Sequence, residues 1–262
     1  MAHDAIPRTG EEMNLLKDRL VLVTGAGRGN GAALAKGLAG YGAKIVATDI
    51  DGETAGETAE LIRADGGMAW SFALDVTDLA MCRSVAAEIE QAAGPVAVVV
   101  NNAGIIRREE IDDPAAADAW DACMQVNATG VFNMCTAFIP HLRQTQGNIV
   151  NMTSITAFVA ARTFPGYAAS KAAVVAMTRG FAAKLAPDGI RVNTVVPGPF
   201  ATPMTAVTLA DDSRGNYYKD RVLLGRFGNP EEIVGPVAFI ASDMASFVTG
   251  TALVVDGGLL AE

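Results

Sequence analysis

A tyrosine and a lysine interrupt an otherwise small and apolar stretch near the middle of the chain. The segment GYAASKAAVVAMTRGFAAKLA spans residues 166–186, and Tyr167 and Lys171 fall within its first turns. Residues at i and i+4 share one face of a helix, so the phenol and the amine point the same way. A nearby ammonium favours the phenolate, so we expect Lys171 to lower the pKa of Tyr167 from about 10. Such a phenol can exchange a proton with an alcohol or carbonyl oxygen.

Ser154 is a third polar group of interest. It follows the predicted strand that ends in NIVNMT, thirteen residues before Tyr167. Its hydroxyl is expected to hydrogen-bond the same substrate oxygen. Each residue also has a plain structural interpretation, as a tyrosine at a helix start, a lysine reaching solvent and a serine at a strand end. Their combination downstream of a nucleotide-binding pattern favours catalysis.

That nucleotide-binding pattern is TGAGRGNG, residues 24–31, which follows the apolar run LVLV and opens a helical pattern. Glycines permit a tight turn and let a diphosphate approach the helix N-terminus, where N–H groups and the helix dipole favour an anion. A G-x-G-x-x-G string alone also occurs in ordinary turns. The preceding strand and following helix predict a dinucleotide site.

Asp49 ends the second predicted strand. A carboxylate there can accept hydrogen bonds from the adenosine ribose, and it would face the 2′-phosphate of NADP. Two like charges ~4 Å apart repel by ~4 kcal/mol at a surface-like dielectric. Nothing basic follows in DIDGE, and Arg28 is the loop cation that could offset this repulsion. The sequence therefore favours NAD, although Asp49 also fits a solvated strand-end acid.

Short apolar runs alternate with longer helical patterns along the chain. Strands are predicted at 19–24, 43–48, 68–74, 96–100, 147–153, 190–196 and 251–256, and helices at 30–41, 53–64, 78–92, 115–143 with a break, 166–186 and 230–242. Continuous apolar strands are typical of a parallel sheet buried on both faces, and βα alternation indicates a doubly wound α/β fold. We expect a polar leader at 1–16 and one domain at 17–262, with a lid at about 200–228.

Composition narrows the function classes. The 262-residue chain has a net charge of −9 and no basic cluster, which disfavours a nucleic-acid or anionic-membrane partner. Its three cysteines match no metal-binding spacing, so no metal is expected. No secretory signal and no apolar run of about 20 residues is present, which predicts a cytoplasmic protein.

Several ordered motifs resemble those of the short-chain dehydrogenase/reductase family. They are TGAGRGNG (24–31), DVTD (75–78), NNAG (101–104), Asn127, Ser154, YAASK (167–171), PGPFATPM (197–204) and VDGG (255–258). The resemblance covers about residue 18 to the end. It implies a Rossmann sheet of strand order 3-2-1-4-5-6-7 and a homotetramer or homodimer.

The resemblance also implies roles for a catalytic set. Tyr167 would be the acid/base, and Lys171 would lower its pKa and bind the nicotinamide ribose. Ser154 would hold the substrate oxygen, and Asn127 a relay water near the lysine. The expected NAD-binding residues are Gly25, Gly27, Arg28, Gly29, Asn30, Gly31, Asp49, Asp75, Val76, Asn101, Ala103, Gly104, Tyr167, Lys171, Pro197, Gly198 and Thr202.

Asn30 departs from the family pattern, which usually has an apolar residue between the last two loop glycines. The backbone role of this position uses its N–H and can survive the change. The side chain must alter the surroundings of the phosphates or the nicotinamide.

The implied reaction interconverts a secondary alcohol and a ketone by hydride transfer. NNAGIIRREE is similar to the corresponding stretch of sugar-acid dehydrogenases in the family, and an arginine can pair a carboxylate bidentately. The expected substrate is therefore a sugar, polyol or sugar acid. Candidate contacts are Arg107, Arg108, Thr156, Phe158, Arg162, Phe200 and Met204, although Arg107 and Arg108 also fit a solvated surface or a subunit contact.

Two alternatives stay open. The first is a 3-oxoacyl-thioester (acyl carrier protein) reductase, a function common among similar sequences but usually paired with NADPH and a basic carrier-binding surface. The second is a non-catalytic nucleotide sensor or scaffold on the same fold. Such proteins typically lose the tyrosine or the lysine, and this chain keeps both.

Overall fold

Seven parallel strands form one sheet in this computed structural model, which describes residues 14–160 and 163–261. The strands are Leu20–Thr24 (β1), Lys44–Asp49 (β2), Ala69–Ala73 (β3), Val98–Asn101 (β4), Asn148–Met152 (β5), Arg191–Pro197 (β6) and Ala252–Val255 (β7). Their order is β3-β2-β1-β4-β5-β6-β7, with every neighbouring pair parallel. The predicted doubly wound sheet and its strand order are confirmed.

Helices connect the strands and cover both faces. They are Gly29–Gly40 (α1), Gly52–Ala64 (α2), Leu79–Ala93 (α3), Ala116–Met124 (α4), Gly130–Thr145 (α5), Pro165–Leu185 (α6), Ala206–Ala210 (α7), Asp212–Arg221 (α8) and Val234–Ala241 (α9). The break predicted within 115–143 is a π-helical turn, Gln125–Thr129. Within the described ranges, no helix is both long and apolar enough to span a membrane.

The central strand β1 shows why its sequence is apolar at every position. Val21 and Val23 pack in a core with Leu38 of α1, on one face of the sheet. Leu22 packs in a second core with Phe138 of α5, on the other face. Both faces are removed from water, so alternation with polar residues is absent.

The segment between β6 and α9 leaves the sheet and returns to it. Phe200 and Gly228 form an isolated parallel bridge at its base. Between them lie α7 and α8, which the sequence did not predict as helices. The α8 sequence DSRGNYYKDR is polar on every side, so no apolar period marks it.

The folded region begins before the predicted boundary at residue 17. Leu16 is fully buried in the core with α1, and its N–H donates to the Tyr41 carbonyl oxygen (3.0 Å). The predicted leader therefore does not include Leu16. Residues 1–13 lie outside the described residues.

Candidate active site

The carboxyl ends of the parallel strands bring the predicted site residues to one edge of the sheet. The glycine loop follows β1, Asp49 ends β2, Asn101 ends β4 and Ser154 follows β5. Ligands of open α/β sheets bind in the crevice outside these ends. The sequence motifs, far apart along the chain, therefore share one crevice.

The glycine loop is packed so closely that side chains would not fit. A Cβ on Gly27 would overlap the Thr54 side chain, and a Cβ on Gly31 would overlap the Gly25 carbonyl oxygen. Gly25 has φ +63° and Gly29 has φ +56°, a region that L side chains rarely adopt. The backbone at the start of α1 is thereby left bare on the crevice side.

The N-terminus of α1 also differs from those of α2 and α3. Asp51 and Asp78 cap α2 and α3 by accepting hydrogen bonds from first-turn N–H groups. The residue before α1 is Arg28, an exposed side chain that makes no cap hydrogen bond within the described residues. The first-turn N–H groups of α1 remain open to an anion. This bare, uncapped turn fits the diphosphate of a nicotinamide dinucleotide.

Asn102 fixes this loop, a residue to which the sequence analysis gave no role. Its Nδ2 donates to the carbonyl oxygens of Thr24 (2.9 Å) and Gly25 (3.2 Å). The Thr24 hydroxyl in turn accepts from the N–H groups of Asn102 and Ala103, both at 3.0 Å. Asn102 is the second asparagine of NNAG. The sequence showed this motif but not that Asn102 is the residue that holds the glycine loop.

Asn101, by contrast, does not reach the glycine loop with its side chain. Its Nδ2 donates to Asn151 Oδ1 (2.8 Å) on β5, and Asn151 donates to Thr178 Oγ1 (2.9 Å) on α6. Successive side chains of a strand point to opposite faces, and this one faces the helices. The Asn101 side chain thus ties β4 to β5, and its expected place along the cofactor stays a prediction.

Asp49 lies beside the glycine loop, as its predicted role requires. One carboxylate oxygen accepts from the Gly27 N–H (3.0 Å) and the other from the Asp51 N–H (3.2 Å). The carboxylate is held at the rim of the cradle.

Asp75 and Val76 follow β3, next along the crevice. The Asp75 carboxylate accepts from the Thr77 N–H (2.9 Å) and hydroxyl (2.7 Å), which orders the turn before α3. Val76 is buried, and its side chain lies where a Cβ on Gly130 would stand. Both residues thus stabilise this wall of the crevice.

Tyr167 and Lys171 share the buried face of α6, near its N-terminus. Tyr167 is 9% exposed and Lys171 5% exposed, and the Lys171 Nζ lies 5.9 Å from the centre of the tyrosine ring. The Lys171 ammonium donates to the Met152 carbonyl oxygen (3.1 Å) at the end of β5. Ser154, two residues further, hydrogen-bonds Tyr167 and accepts from the Thr156 N–H (3.2 Å).

Burial dominates the titration of both groups. It raises the pKa of Tyr167 to about 12, although the hydrogen bond with Ser154 lowers that pKa in part. It lowers the pKa of Lys171 to about 8, because the ammonium loses hydration. The expected lowering of the Tyr167 pKa by Lys171 is therefore absent in this structure. Desolvation of the phenolate is the largest cause of its shift instead.

Asn127 lies in the π-helical turn and is fully buried. Its amide accepts from the Ile105 N–H (2.8 Å), and donates to the Ile105 carbonyl oxygen (2.9 Å) and Ser170 Oγ (3.0 Å). A Cβ on Gly104 would stand 3.1 Å from Asn127 Oδ1 and 3.2 Å from Lys171 Nζ. Gly104 thus lets the asparagine and the lysine approach one point on the backbone.

The opposite wall of the crevice starts at the end of β6. Pro197 ends that strand, and Gly198 packs so closely on Asp256 that a Cβ would lie 2.6 Å from its Cα. Thr202 lies across the crevice from the glycine loop, with its Cβ 3.5 Å from where a Cβ on Gly29 would stand. The lid segment thus begins against the loop.

Three arginines, together with Glu109 and Glu110, line a cavity of about 240 Å³ next to the start of α6. Arg107 is engaged by Glu109, since its Nε donates to Glu109 Oε1 (2.9 Å). Arg108 donates to the Met204 carbonyl oxygen (3.0 Å) and to Thr208 Oγ1 (3.4 Å), which ties it to the lid segment. Arg214 of α8 lies on the same cavity, a residue that the sequence analysis did not single out.

The other predicted substrate contacts differ in how exposed their side chains are. Phe200 is 5% exposed and packs in the core with α9, and its substrate contact stays a prediction. Phe158 and Met204 are exposed, at 45% and 41%. Thr156 Oγ1 is buried and has no hydrogen-bond partner among the described residues. Arg162 lies outside the described residues.

Comparison with known proteins identifies relatives over most of the chain. Residues 25–260 match the profile of a family described as Enoyl-(Acyl carrier protein) reductase. The chain is 38% identical to 2-(S)-hydroxypropyl-CoM dehydrogenase 3 of Xanthobacter autotrophicus, over 95% of this chain and 99% of the relative. It is also 38% identical to the 3-oxoacyl-[acyl-carrier-protein] reductase FabG of Thermotoga maritima, over 94% and 99%.

A solved structure shows the same likeness. A gluconate 5-dehydrogenase from Burkholderia cenocepacia, in complex with NADP and tartrate, has a TM-score of 0.91 and 38% identity, covering 96% of this chain and 98% of that one. The three relatives share one level of identity and differ in their substrates. Overall similarity therefore identifies the family but not the substrate.

We predict that Lys171→Met raises the melting temperature of the nucleotide-free protein at pH 7. The folded-state pKa of Lys171, about 8, lies below its unfolded value of 10.5, so the destabilisation is fully present below pH 8. It is relieved as pH rises from about 8 towards 10.5. The gap corresponds to on the order of 3 kcal/mol, offset in part by the lost hydrogen bond to Met152.

Thermal unfolding from pH 7 to pH 10 tests this prediction. The expected gain is several degrees at pH 7, and it should shrink as pH rises. The exposed Lys184→Met, near the end of the same helix, is the control and should show no gain. A lower melting temperature for Lys171→Met at pH 7 would contradict the assigned cost of burial.

Proposed function

This chain belongs to the short-chain dehydrogenase/reductase family, and on that premise we propose an NAD(H)-dependent enzyme that interconverts a secondary alcohol and a ketone with Tyr167 as acid/base. The coarser statement, an oxidoreductase acting on alcohol or ketone groups, follows from family membership. The finer one rests chiefly on Ser154, Tyr167 and Lys171 meeting, buried, beside the glycine cradle.

The residues of the cradle suit a dinucleotide that lies across the strand ends. Gly25 to Gly31 would hold the diphosphate, Asp49 the adenosine ribose and Lys171 the nicotinamide ribose. When bound, the nicotinamide accepts or supplies a hydride, and the protein contributes geometry and electrostatics.

Tyr167 would move the proton. With a pKa of about 12 its phenol is protonated at pH 7, which suits the donation of a proton to a ketone oxygen. Ser154 would hold the same oxygen. In the oxidising direction the phenolate is needed, and Lys171, with a pKa of about 8, is mostly protonated at pH 7 and supplies a nearby positive charge.

The proposed substrate is a sugar, polyol or sugar acid. Arg107, Arg108 and Arg214 line the cavity next to the start of α6, together with Glu109 and Glu110. Glu109 already pairs Arg107, so Arg108 and Arg214 are the proposed contacts of a substrate carboxylate. Guanidinium groups recognise carboxylates, and the Burkholderia relative was solved with tartrate, a hydroxy-dicarboxylate. The second candidate is a 3-oxoacyl-thioester reductase, which the likeness to the Thermotoga reductase favours.

Residues of about 200–228 would act as a lid over the bound ligand. The bridge between Phe200 and Gly228 fixes both ends of the segment, while α7 and α8 carry exposed side chains between them. Arg108 reaches this segment from the opposite side of the cavity. A lid anchored at its base can move without disturbing the sheet.

Tyr167→Phe should reduce turnover at least a hundredfold, because it removes the group that exchanges the proton. NADH affinity should stay within about twofold, since the variant keeps the ring and the cradle. Steady-state rates and NADH fluorescence titration measure the two effects, with Tyr41→Phe, at the end of α1, as the control. Retained turnover would show that another group is the acid/base.

We propose NAD as the preferred cofactor because the Asp49 carboxylate would repel the 2′-phosphate of NADP. The Burkholderia relative was solved with NADP, which is an observation on that relative. Asp49→Asn keeps an acceptor for the Gly27 N–H and removes the charge facing a 2′-phosphate. We expect the ratio of kcat/KM for NADP to that for NAD to rise at least tenfold. Asp51→Asn, two residues on, is the control. An unchanged ratio would assign the preference to another group, such as Arg28.

A substrate panel tests the proposal as a whole. Gluconate and other sugar acids, each paired with the uncharged polyol of equal length, are assayed with NAD and NADP beside simple secondary alcohols. The reverse assay uses 3-oxoacyl thioesters with both reduced cofactors. We expect turnover with NAD on a sugar, polyol or sugar acid. Turnover confined to thioesters with NADPH would overturn both the substrate class and the role of Asp49.

A further inference from the structure

Glu109 holds Arg107 at the wall of the cavity next to the start of α6. The Nε and Nη2 groups of Arg107 both donate to Glu109 Oε1, which lies 2.9 Å from Nε. The second carboxylate oxygen, Oε2, accepts from the Arg108 N–H (2.8 Å). The hydrogen bond with Arg107 holds the pKa of Glu109 below its usual range. Glu109 is therefore an ionised carboxylate with both oxygens bonded within the chain.

The pair lies close to the proposed proton-exchanging residues. Ile106, immediately before Arg107, packs against the buried cluster that contains Cys123 and Tyr167. Burial raises the pKa of the Cys123 thiol, and Arg107 and Lys171 both lower that pKa in part, so both cations lie near the thiol. The Arg107 side chain is also 41% exposed and lines the cavity. A substrate with its reacting hydroxyl at Tyr167 could therefore extend to Arg107.

The bond to Glu109 changes what Arg107 can offer such a substrate. A guanidinium binds a carboxylate through two parallel N–H groups, and Nε with Nη2 forms one such edge. Glu109 occupies this edge, and its charge offsets that of the arginine. A substrate carboxylate at the other N–H groups of Arg107 would lie beside the Glu109 carboxylate and be repelled. Glu109 thus competes with a substrate carboxylate for this arginine.

We propose that Glu109 is a specificity-determining residue that withholds Arg107 from a substrate carboxylate. Arg108 and Arg214 remain on the same cavity for one carboxylate. The cavity then suits an uncharged polyol or a monocarboxylate and disfavours a dicarboxylate. This inference rests on the proposed function and deepens it, because it assigns a determinant of substrate charge to the same site.

Glu109→Gln tests the proposal, because it removes the competing charge and keeps a side chain of the same shape. Three compounds of equal length and equal configuration serve as probes: threitol, threonate and tartrate, with no, one and two carboxylates. Each is titrated by calorimetry at pH 7 against the full-length protein in complex with NADH. We expect the dissociation constant for tartrate to fall about tenfold and that for threitol to change less than about twofold. The fall for threonate should be smaller than that for tartrate.

Glu110→Gln is the matched control, since Glu110 is an exposed acid on the same cavity. It removes one negative charge but leaves Arg107 bonded to Glu109. The dissociation constant for tartrate should change less than about twofold. The double variant Arg107→Gln, Glu109→Gln should lose the gain for tartrate, because the released arginine is then absent.

Glu109→Ala is the second variant and removes the acceptor as well as the charge. It should bind tartrate at least as tightly as Glu109→Gln does. The ion pair is partly exposed, and such pairs contribute little to stability, so both variants should keep the fold. Thermal unfolding without ligand checks this, with melting temperatures expected close to that of the wild-type protein.

The outcomes separate this inference from the proposed function. No binding of NADH by the wild-type protein would overturn the proposed function, on which the inference rests. Normal NADH binding with no gain for tartrate in either Glu109 variant would overturn the inference alone. Weaker tartrate binding would also overturn it, and would show that Glu109 orients Arg107 for the substrate. Equal gains in Glu109→Gln and Glu110→Gln would overturn it as well, since total charge would then set the affinity.

Discussion

Lys171 is an amine almost completely removed from water, and the active-site end of the sheet is built around it. The Met152 carbonyl oxygen accepts its hydrogen bond at the end of β5, and Gly104 leaves room for its Nζ after β4. Asn127 also lies against Gly104, and its side chain is hydrogen-bonded to the backbone of Ile105. Three separate elements thus surround one lysine, and its lowered pKa is the measure of what that burial costs.

Close approach of backbones is the second constraint, and it explains where glycine is needed. Gly31 packs on Gly25 within the loop, and Asn102 reaches across from the end of β4 to bond Thr24 and Gly25. These contacts hold the loop in place, while the first turn of α1 has no side-chain cap. The turn is held by contacts within the chain, so an anion that bound there would meet a preformed site.

The lid segment connects the two halves of the crevice. It begins with Thr202 against Gly29, and Arg108 bonds it again at Met204 and Thr208. A substrate anion that engaged Arg108 would compete with these contacts. Recognition of a charged substrate and movement of the lid would then depend on the same guanidinium.

Much of this protein was determined by local sequence. Continuous apolar runs such as LVLV required strands buried on both faces, and i, i+4 spacing put Tyr167 and Lys171 on one helix face. The parallel sheet was predicted from these patterns, and its strand order was implied by the resemblance to the short-chain dehydrogenase/reductase family.

What depended on packing could not be predicted from the sequence. The pKa of Tyr167 rises because the phenol is buried, and no spacing reveals the extent of burial. Asn101 and Asn102 are adjacent and identical, yet Asn101, at the end of β4, ties that strand to β5, and Asn102, just past the strand, holds the glycine loop. Phe200 begins the predicted lid but packs in the core. The sequence determined which groups meet at the strand ends, and the tertiary structure decided which of them face the crevice and how strongly burial changes their charge.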